Sequence, residues 1–370
     1  MTDIQPITMP KWGLAMQEGT VSEWLVEPGA EITAGDEIVE IETSKITNVF
    51  ESPVSGTLRR IVVAAGQTVP VGALLGVCAP ASVDDAAIDT FVQEFLDSFD
   101  WEAAGATGGP EPQSIDTDAG RIRYLELGEG EGAPIIFVHG FGGDLLSWMF
   151  NQEALAESHR TIALDLPGHG GSTKTLPGNN AAALADAVLA FMDAKGIARA
   201  HFVGHSMGGA IALFLAARRA ARTASATLIA PGGLGAEINM EFIDGFISQK
   251  RARKLRGIME MLVADPGAIT GEMIEEVIRF KRLDGVEAAL TALRDGLFPG
   301  GRQAGSLREA LSTLTVPVQV IWGVQDRILP AAHAEGLPET VPVTLLENTG
   351  HMPHMERAGE VNALIERIAR

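Results

Sequence analysis

His201-Phe202-Val203-Gly204-His205-Ser206-Met207-Gly208-Gly209-Ala210 is an apolar run that empties into a Gly-x-Ser-x-Gly turn and then into an alanine-rich stretch. Glycines on either side of the serine let the chain reverse tightly enough to lift a hydroxyl out of the edge of a sheet. The same strand-then-glycine pattern lies upstream, at Ile135-Ile136-Phe137-Val138 before His139-Gly140-Phe141-Gly142-Gly143 and at Thr161-Ile162-Ala163-Leu164 before Asp165-Leu166-Pro167-Gly168-His169-Gly170. Continuous apolar runs of this kind are strands buried on both faces. Helical stretches alternate with them, most clearly Ala181 to Lys195 and Ala210 to Ala221, and that alternation predicts a mostly parallel sheet covered by helices on both sides.

A serine hydroxyl is a weak nucleophile and needs a base, with a carboxylate to orient it. Downstream of Ser206, Asp326 follows the run Val318-Gln319-Val320-Ile321-Trp322-Gly323, and His351 follows Val343 to Leu346 in Asn348-Thr349-Gly350-His351. Both fall where loops leave the carboxyl ends of strands, the edge at which such sheets gather their sites. His333 and His354 are alternative bases without the strand-then-Gly-His context. Asp165 precedes the serine and reads as a structural hydrogen-bonding group, and His139, His169 and His205 as residues that orient loops. The backbone N–H groups of Phe141 and Met207 are the candidates for an oxyanion hole. A helical insert, about Gly232 to Thr313, is expected to lie as a lid over the nucleophile. No metal site is read from the sequence.

The amino-terminal part carries an internal repeat. Residues 19 to 41 fall on residues 56 to 77 at an offset of 37, with Gly19-Thr20 on Gly56-Thr57, Gly29 on Gly66 and Gly35 on Gly72. Apolar positions match as well, and short β-branched runs with Pro-Gly and Ala-Gly turns predict two similar halves of a small β barrel-sandwich. The joint between them, Glu42-Thr43-Ser44-Lys45-Ile46-Thr47, places Lys45 on an exposed hairpin tip. From Ala81 to Ala119 there are ten acids and no Lys or Arg. Ile88, Phe91, Val92, Phe95, Leu96 and Phe99 recur at helical spacing, with Ser82 or Asp84 as N-cap. That stripe is expected to pack on the domain that follows, the alternative being a partner subunit; Gly105 to Pro112 reads as a linker. The predicted organisation is therefore residues 1–80, a connecting segment 81–119, and residues 120–370.

The whole chain of 370 residues is 46% hydrophobic, ample for cores, and carries a net charge of −20. That excess of acid opposes nucleic acid and anionic membrane. No apolar stretch reaches the roughly 20 residues of a membrane helix. The single cysteine, Cys78, rules out an internal disulfide, and the start lacks the order of a signal peptide, so a cytoplasmic protein is expected.

The first 80 residues resemble a lipoyl domain. Met9-Pro10-Lys11-Trp12-Gly13, Glu18-Gly19, Gly35-Asp36 and the position of Lys45 follow that pattern, while Ser44 stands where these domains usually carry Asp. Ser44 and Ile46 argue against a biotinyl domain, which usually flanks its lysine with Met. Residues 120–370 resemble the α/β-hydrolase superfamily. Taken in order, the parts resemble the dihydrolipoyl acyltransferase component of bacterial acetoin dehydrogenase systems. The resemblance implies lipoate on Lys45, coenzyme A as acceptor, and an oligomeric complex. Its implied partners are a thiamine-diphosphate-dependent acetoin-cleaving component, dihydrolipoamide dehydrogenase and a lipoylating enzyme. The His-x-x-x-Asp-Gly motif usual for acyltransferases of lipoyl complexes is absent.

Three functions stay open at this point: acetyl transfer to coenzyme A through Ser206, His351 and Asp326; hydrolysis at the same residues with water as acceptor; and a lipoyl carrier whose hydrolase fold is structural. The one dense basic run, Lys250, Arg251, Arg253, Lys254 and Arg256, fits coenzyme A phosphates, an acidic lipoyl domain, or a solvated helix face.

Overall fold

The computed structural model describes residues 4–10, 16–43, 47–101, 110–130 and 132–369. Two compact units form, residues 1–109 with 270–273, and residues 110–269 with 274–370.

Among its described residues the first unit has eight strands: β1 Gln5–Thr8, β2 Glu18–Trp24, β3 Glu31–Ile32, β4 Glu37–Glu42, β5 Thr47–Glu51, β6 Gly56–Ile61, β7 Thr68–Pro70 and β8 Leu74–Ala79. They make two four-stranded sheets, β1-β8-β6-β3 and β5-β4-β2-β7. The repeat explains this order. The offset of 37 carries β4 onto β8 and places β2 over β6 and β3 over β7, and each half lends its short third strand to the other half's sheet. Ile7, Val21, Ile38, Ile41, Leu58 and Leu75 fill the space between the sheets. Two of the glycine pairs sit at positive φ, Gly29 at 99° with Gly66 at 83° and Gly35 at 97° with Gly72 at 83°. A side chain there is strained, which is why the same glycines recur in both halves. The β4–β5 hairpin pairs as far as Glu42 with Thr47; Lys45, with Ser44 and Ile46, lies outside the described residues.

Helix α1, Asp85–Ser98, is N-capped by Asp84, whose carboxylate accepts from Ala87 N at 2.7 Å. Its placement corrects the sequence expectation. The Ile88, Phe91, Val92 and Phe95 face packs on Leu74, Val77 and Ala79 of β8 and on Val62, within the first unit. The cause is that β8 is buried at every position and needs cover on the face turned away from the sandwich core. Arg59 and Arg60 pair with Asp85 and Asp89 of the helix and fix its register on the sheet.

The second unit is an eight-stranded sheet. Its strands are β9 Gln113–Thr117, β10 Gly120–Leu127, β11 Ile135–Val138, β12 Thr161–Leu164, β13 Ala200–His205, β14 Thr223–Ile229, β15 Val318–Gly323 and β16 Val343–Leu346. The order is β16-β15-β14-β13-β11-β12-β10-β9. From β12 to β16 the strands run parallel, and β10 is antiparallel to both of its neighbours. Helices α2 Met149–Ala156, α3 Ala181–Ala194 and α4 Met207–Arg218 connect the early strands. Helix α4 starts three residues before the expected Ala210, directly after Ser206. Between β14 and β15 the chain forms α5 Met240–Ser248, α6 Ala252–Met259, α7 Gly271–Lys281 and α8 Val286–Leu297, and α9, Ala358–Ile368, closes the fold.

Candidate active site

Ser206 has φ 53° and ψ −113°, a conformation an L-residue adopts only where its surroundings impose it. Tight packing imposes it here. A Cβ on Gly204 would lie 2.1 Å from Gly208 O, and one on Gly208 would lie 2.0 Å from Val138 O, so neither glycine admits a side chain. Because Ser206 precedes the first residue of α4, the Met207 N–H has no acceptor inside the helix and lies at the positive end of its dipole. The hydroxyl of Ser206 makes no capping bond to that helix.

The loop after β11 lies against this elbow. A Cβ on Gly140 would come within 3.2 Å of Ser206 Cβ, which brings Phe141 beside the nucleophile. Two buried histidines pin the loop. Leu166 N donates to His139 Nε2 at 3.0 Å, which leaves His139 Nδ1 to donate to Gly140 O at 2.7 Å. Gly142 N donates to His169 Nε2 at 3.1 Å, and His169 Nδ1 donates to Pro167 O at 3.2 Å. An imidazole that accepts on one nitrogen and donates on the other is neutral, and burial holds both rings below the usual histidine pKa. Phe246 of α5 and Phe298 meet the Phe141 ring edge-on at 6.2 and 6.3 Å, so the helical insert closes on this loop.

Asp326 and His351 are brought together. His351 Nδ1 donates to Asp326 Oδ2 at 2.7 Å, with both side chains withdrawn from solvent. The other carboxylate oxygen accepts from the amides of Ile328 and Leu329 at 2.8 and 3.0 Å, and Trp322 Nε1 donates to Oδ2 at 2.9 Å. His351 is held along its main chain as well. Its N–H donates to Leu262 O of the insert at 2.7 Å, and its carbonyl accepts from His205 Nε2 at 2.7 Å. The two rings lie 4.7 Å apart, which places His351 next to the residue preceding Ser206.

The alternatives go elsewhere. His333 bonds Glu237 at 2.8 Å. His354 is buried with neither ring nitrogen partnered, between Trp148 and His205, and burial pushes its pKa down to about 3. Asp165 accepts from the amides of Leu145 and Gly171 at 2.8 and 2.7 Å and from Arg123 at 3.3 Å, three bonds that tie loops together. Sequence reading missed two groups, Trp322 and Glu356. Glu356 accepts from Gly350 N at 2.9 Å, Met352 N at 3.3 Å and Ala264 N at 2.7 Å, clamping the backbone on both sides of His351. Burial raises its pKa, against those same bonds. Neither group lies in a motif, and only the tertiary fold brings each one to its partner.

Among the described residues no cluster of His, Cys, Asp and Glu could hold a metal ion, and no helix is long and apolar enough to cross a membrane. A serine on a strained elbow and a buried histidine–carboxylate pair lie on an α/β-hydrolase fold, in a chain that also carries a lipoyl-type sandwich. Family models agree on both parts: "alpha/beta hydrolase fold" matches residues 133–358 and "Biotin-requiring enzyme" matches residues 5–77. A meta-cleavage product hydrolase from Pseudomonas fluorescens superimposes with a TM-score of 0.63 at 23% identity, over 69% of this chain and 96% of that one, which shows the fold alone. Relatives along the whole length narrow the class. The dihydrolipoyllysine-residue acetyltransferase component of the acetoin cleaving system of Cupriavidus necator is 47% identical over 98% of this chain and 97% of its own. Its counterpart from Pseudomonas putida is 45% identical over the same shares. The chain belongs to this family of acetyltransferase components.

Proposed function

We propose that Ser206, His351 and Asp326 carry acetyl from a lipoyl thioester on Lys45 to coenzyme A, as part of a multienzyme acetoin-cleaving system. The closed His351–Asp326 pair beside a strained Ser206 is the observation that carries this reading. The β4–β5 hairpin fits a lipoyl-bearing lysine at position 45, since its ladder runs to Glu42 and Thr47 on either side of that position in the sequence. When attached, the group supplies a dithiol arm that delivers acetyl as a thioester.

This chain's own residues account for the remaining chemistry. His351, held through Nδ1 by Asp326, uses Nε2 to take the Ser206 proton as Oγ attacks the thioester carbonyl carbon. The amides of Phe141 and Met207 receive the oxyanion. His351 then returns the proton to the departing sulfur, leaving acetyl-Ser206. In the second half His351 takes the proton of the coenzyme A thiol, whose sulfur attacks the acyl carbon, and Ser206 leaves with that proton restored. Thioester to serine ester, then serine ester to thioester, are two acyl exchanges that balance without an oxidant. The tether raises the local donor concentration to about the millimolar range.

The basic run supports a phosphate-bearing acceptor. Lys250 is taken by Glu287 and Arg256 by Ile269 O, while Arg251, Arg253 and Lys254 remain on the exposed face of the insert. The test is product analysis of the purified protein with acetyl-dihydrolipoamide, with and without coenzyme A. Acetyl-coenzyme A as the main product supports transfer. Free acetate at the same rate in its presence makes the protein a thioesterase, and no turnover makes the hydrolase fold structural.

A further inference from the structure

The oxygen of Asp326 that holds His351 has a second side-chain donor. Trp322 Nε1 reaches Oδ2 at 2.9 Å, against 2.7 Å for His351 Nδ1. The opposite oxygen is served by main-chain amides alone. Among the described residues, therefore, Trp322 is the one side chain that competes with His351 for the reacting face of the carboxylate. Its indole is fully buried and shares its proton with Leu329 O at 3.2 Å, inside the same turn that presents Asp326. The His333 ring stands edge-on to it at 6.1 Å and is itself bonded to Glu237, so the indole is walled in place.

Filling the core does not require that N–H. Trp148 is equally buried and its Nε1 has no partner, whereas the Trp322 N–H is spent on the carboxylate. A donor on Oδ2 withdraws charge from the oxygen that faces the imidazole and fixes the carboxylate plane, so it acts on both the strength and the direction of the His351 contact. We propose that Trp322 is a positioning residue for acyl transfer: its indole N–H shares Asp326 Oδ2 with His351 and sets how strongly that carboxylate holds the ring. The inference rests on the catalytic reading of His351 and Asp326 given above.

Two substitutions test it in the full-length lipoylated protein. Trp322→Phe removes the N–H and some volume; benzothienylalanine at position 322 replaces the N–H with sulfur and keeps the ring. Without the donor, more negative charge faces the imidazole and the protonated ring is better held. The acidic limb of kcat/KM for a small ester is expected to move to higher pH by about half a unit, and kcat at the optimum to fall about tenfold as the carboxylate loses its fixed plane. The far-downfield proton resonance of His351 Nδ1–H, assigned by its loss in Asp326→Asn, is expected to shift in both proteins without any turnover. A benzothienylalanine protein with an unmoved resonance and an unmoved limb would overturn the proposal and return Trp322 to core packing. Activity of Ser206→Ala reports separately on the nucleophile, so a shifted resonance with transfer intact in that variant would sink the catalytic reading while leaving the Trp322–Asp326–His351 coupling standing.

Discussion

The two units solve opposite problems. The sandwich spends its buried side chains on a symmetric core, and Lys45, the residue that the sequence singles out there, lies outside the described residues. In the α/β unit each candidate group is instead held by several partners: Asp326 by four N–H groups, and the loop of Phe141 by two neutral histidines. A carrier has to reach its partners, whereas a transfer site has to be in place before the substrate arrives. Substitutions in the two units are therefore expected to fail differently.

The largest expected contrast separates delivery from chemistry. Lys45→Arg should abolish acetoin-dependent acetyl transfer and leave hydrolysis of small esters intact. Ser206→Ala should cost both, with a fall in kcat of about a thousandfold or more. Intact mass spectrometry after lipoylation checks the first assignment, since a lipoyl group found on Lys11 would defeat it. Labelling of the wild type, but not of Ser206→Ala, by a fluorophosphonate checks the second.

Stability draws the same contrast at a smaller scale. Ile88 is fully buried between α1 and β8, and Ile88→Ala should cost about 2–4 kcal/mol, read as an early urea transition. Breaking the exposed Arg60–Asp89 pair with Asp89→Asn should cost under about 1 kcal/mol. In the α/β unit, His354 is held neutral by burial, with its pKa lowered from 6.5 to about 3. Between those values the unfolded chain binds more protons than the folded one. The contribution is therefore fully present above about pH 6.5 and is lost as pH falls toward 3, by at most about 1.4 kcal/mol per pH unit. His354→Phe should flatten that part of the dependence of urea stability on pH, and an unchanged slope would show that the ring is not held neutral.

How much of this was legible in the sequence divides along the same line. The repeat, the glycine pairs at positive φ and the apolar runs ending in glycine loops could be read because each is a local pattern with a local cause. The Phe stripe of α1 showed that a face is covered without showing by what. Its signals were the unalternating run Leu74 to Ala79 and the adjacent Arg59 and Arg60, which meet Asp85 and Asp89. Ser206, Asp326 and His351 stood out by their place after strands. Trp322 and Glu356 did not, because a buried indole and a carboxylate in the final turns acquire meaning only from what the fold sets against them. The smallest expected effect belongs to the basic run. Reversing Arg251 and Arg253 should raise the apparent Michaelis constant for coenzyme A by about tenfold or less at low salt, less still at physiological salt, and leave ester hydrolysis unchanged. Unchanged coenzyme A kinetics would make the run a solvated helix face.

The central claim is that acetyl passes through the serine of the elbow. Rapid-quench mass spectrometry on protein mixed with acetyl-dihydrolipoamide in the absence of coenzyme A tests it most directly. The account predicts one acetyl group on the peptide containing Ser206, formed no more slowly than turnover and discharged when coenzyme A is added. A wild-type rate of acetyl-coenzyme A formation by Ser206→Ala, with no acetylated peptide in the parent protein, would contradict it and make the acceptor thiol attack the lipoyl thioester directly.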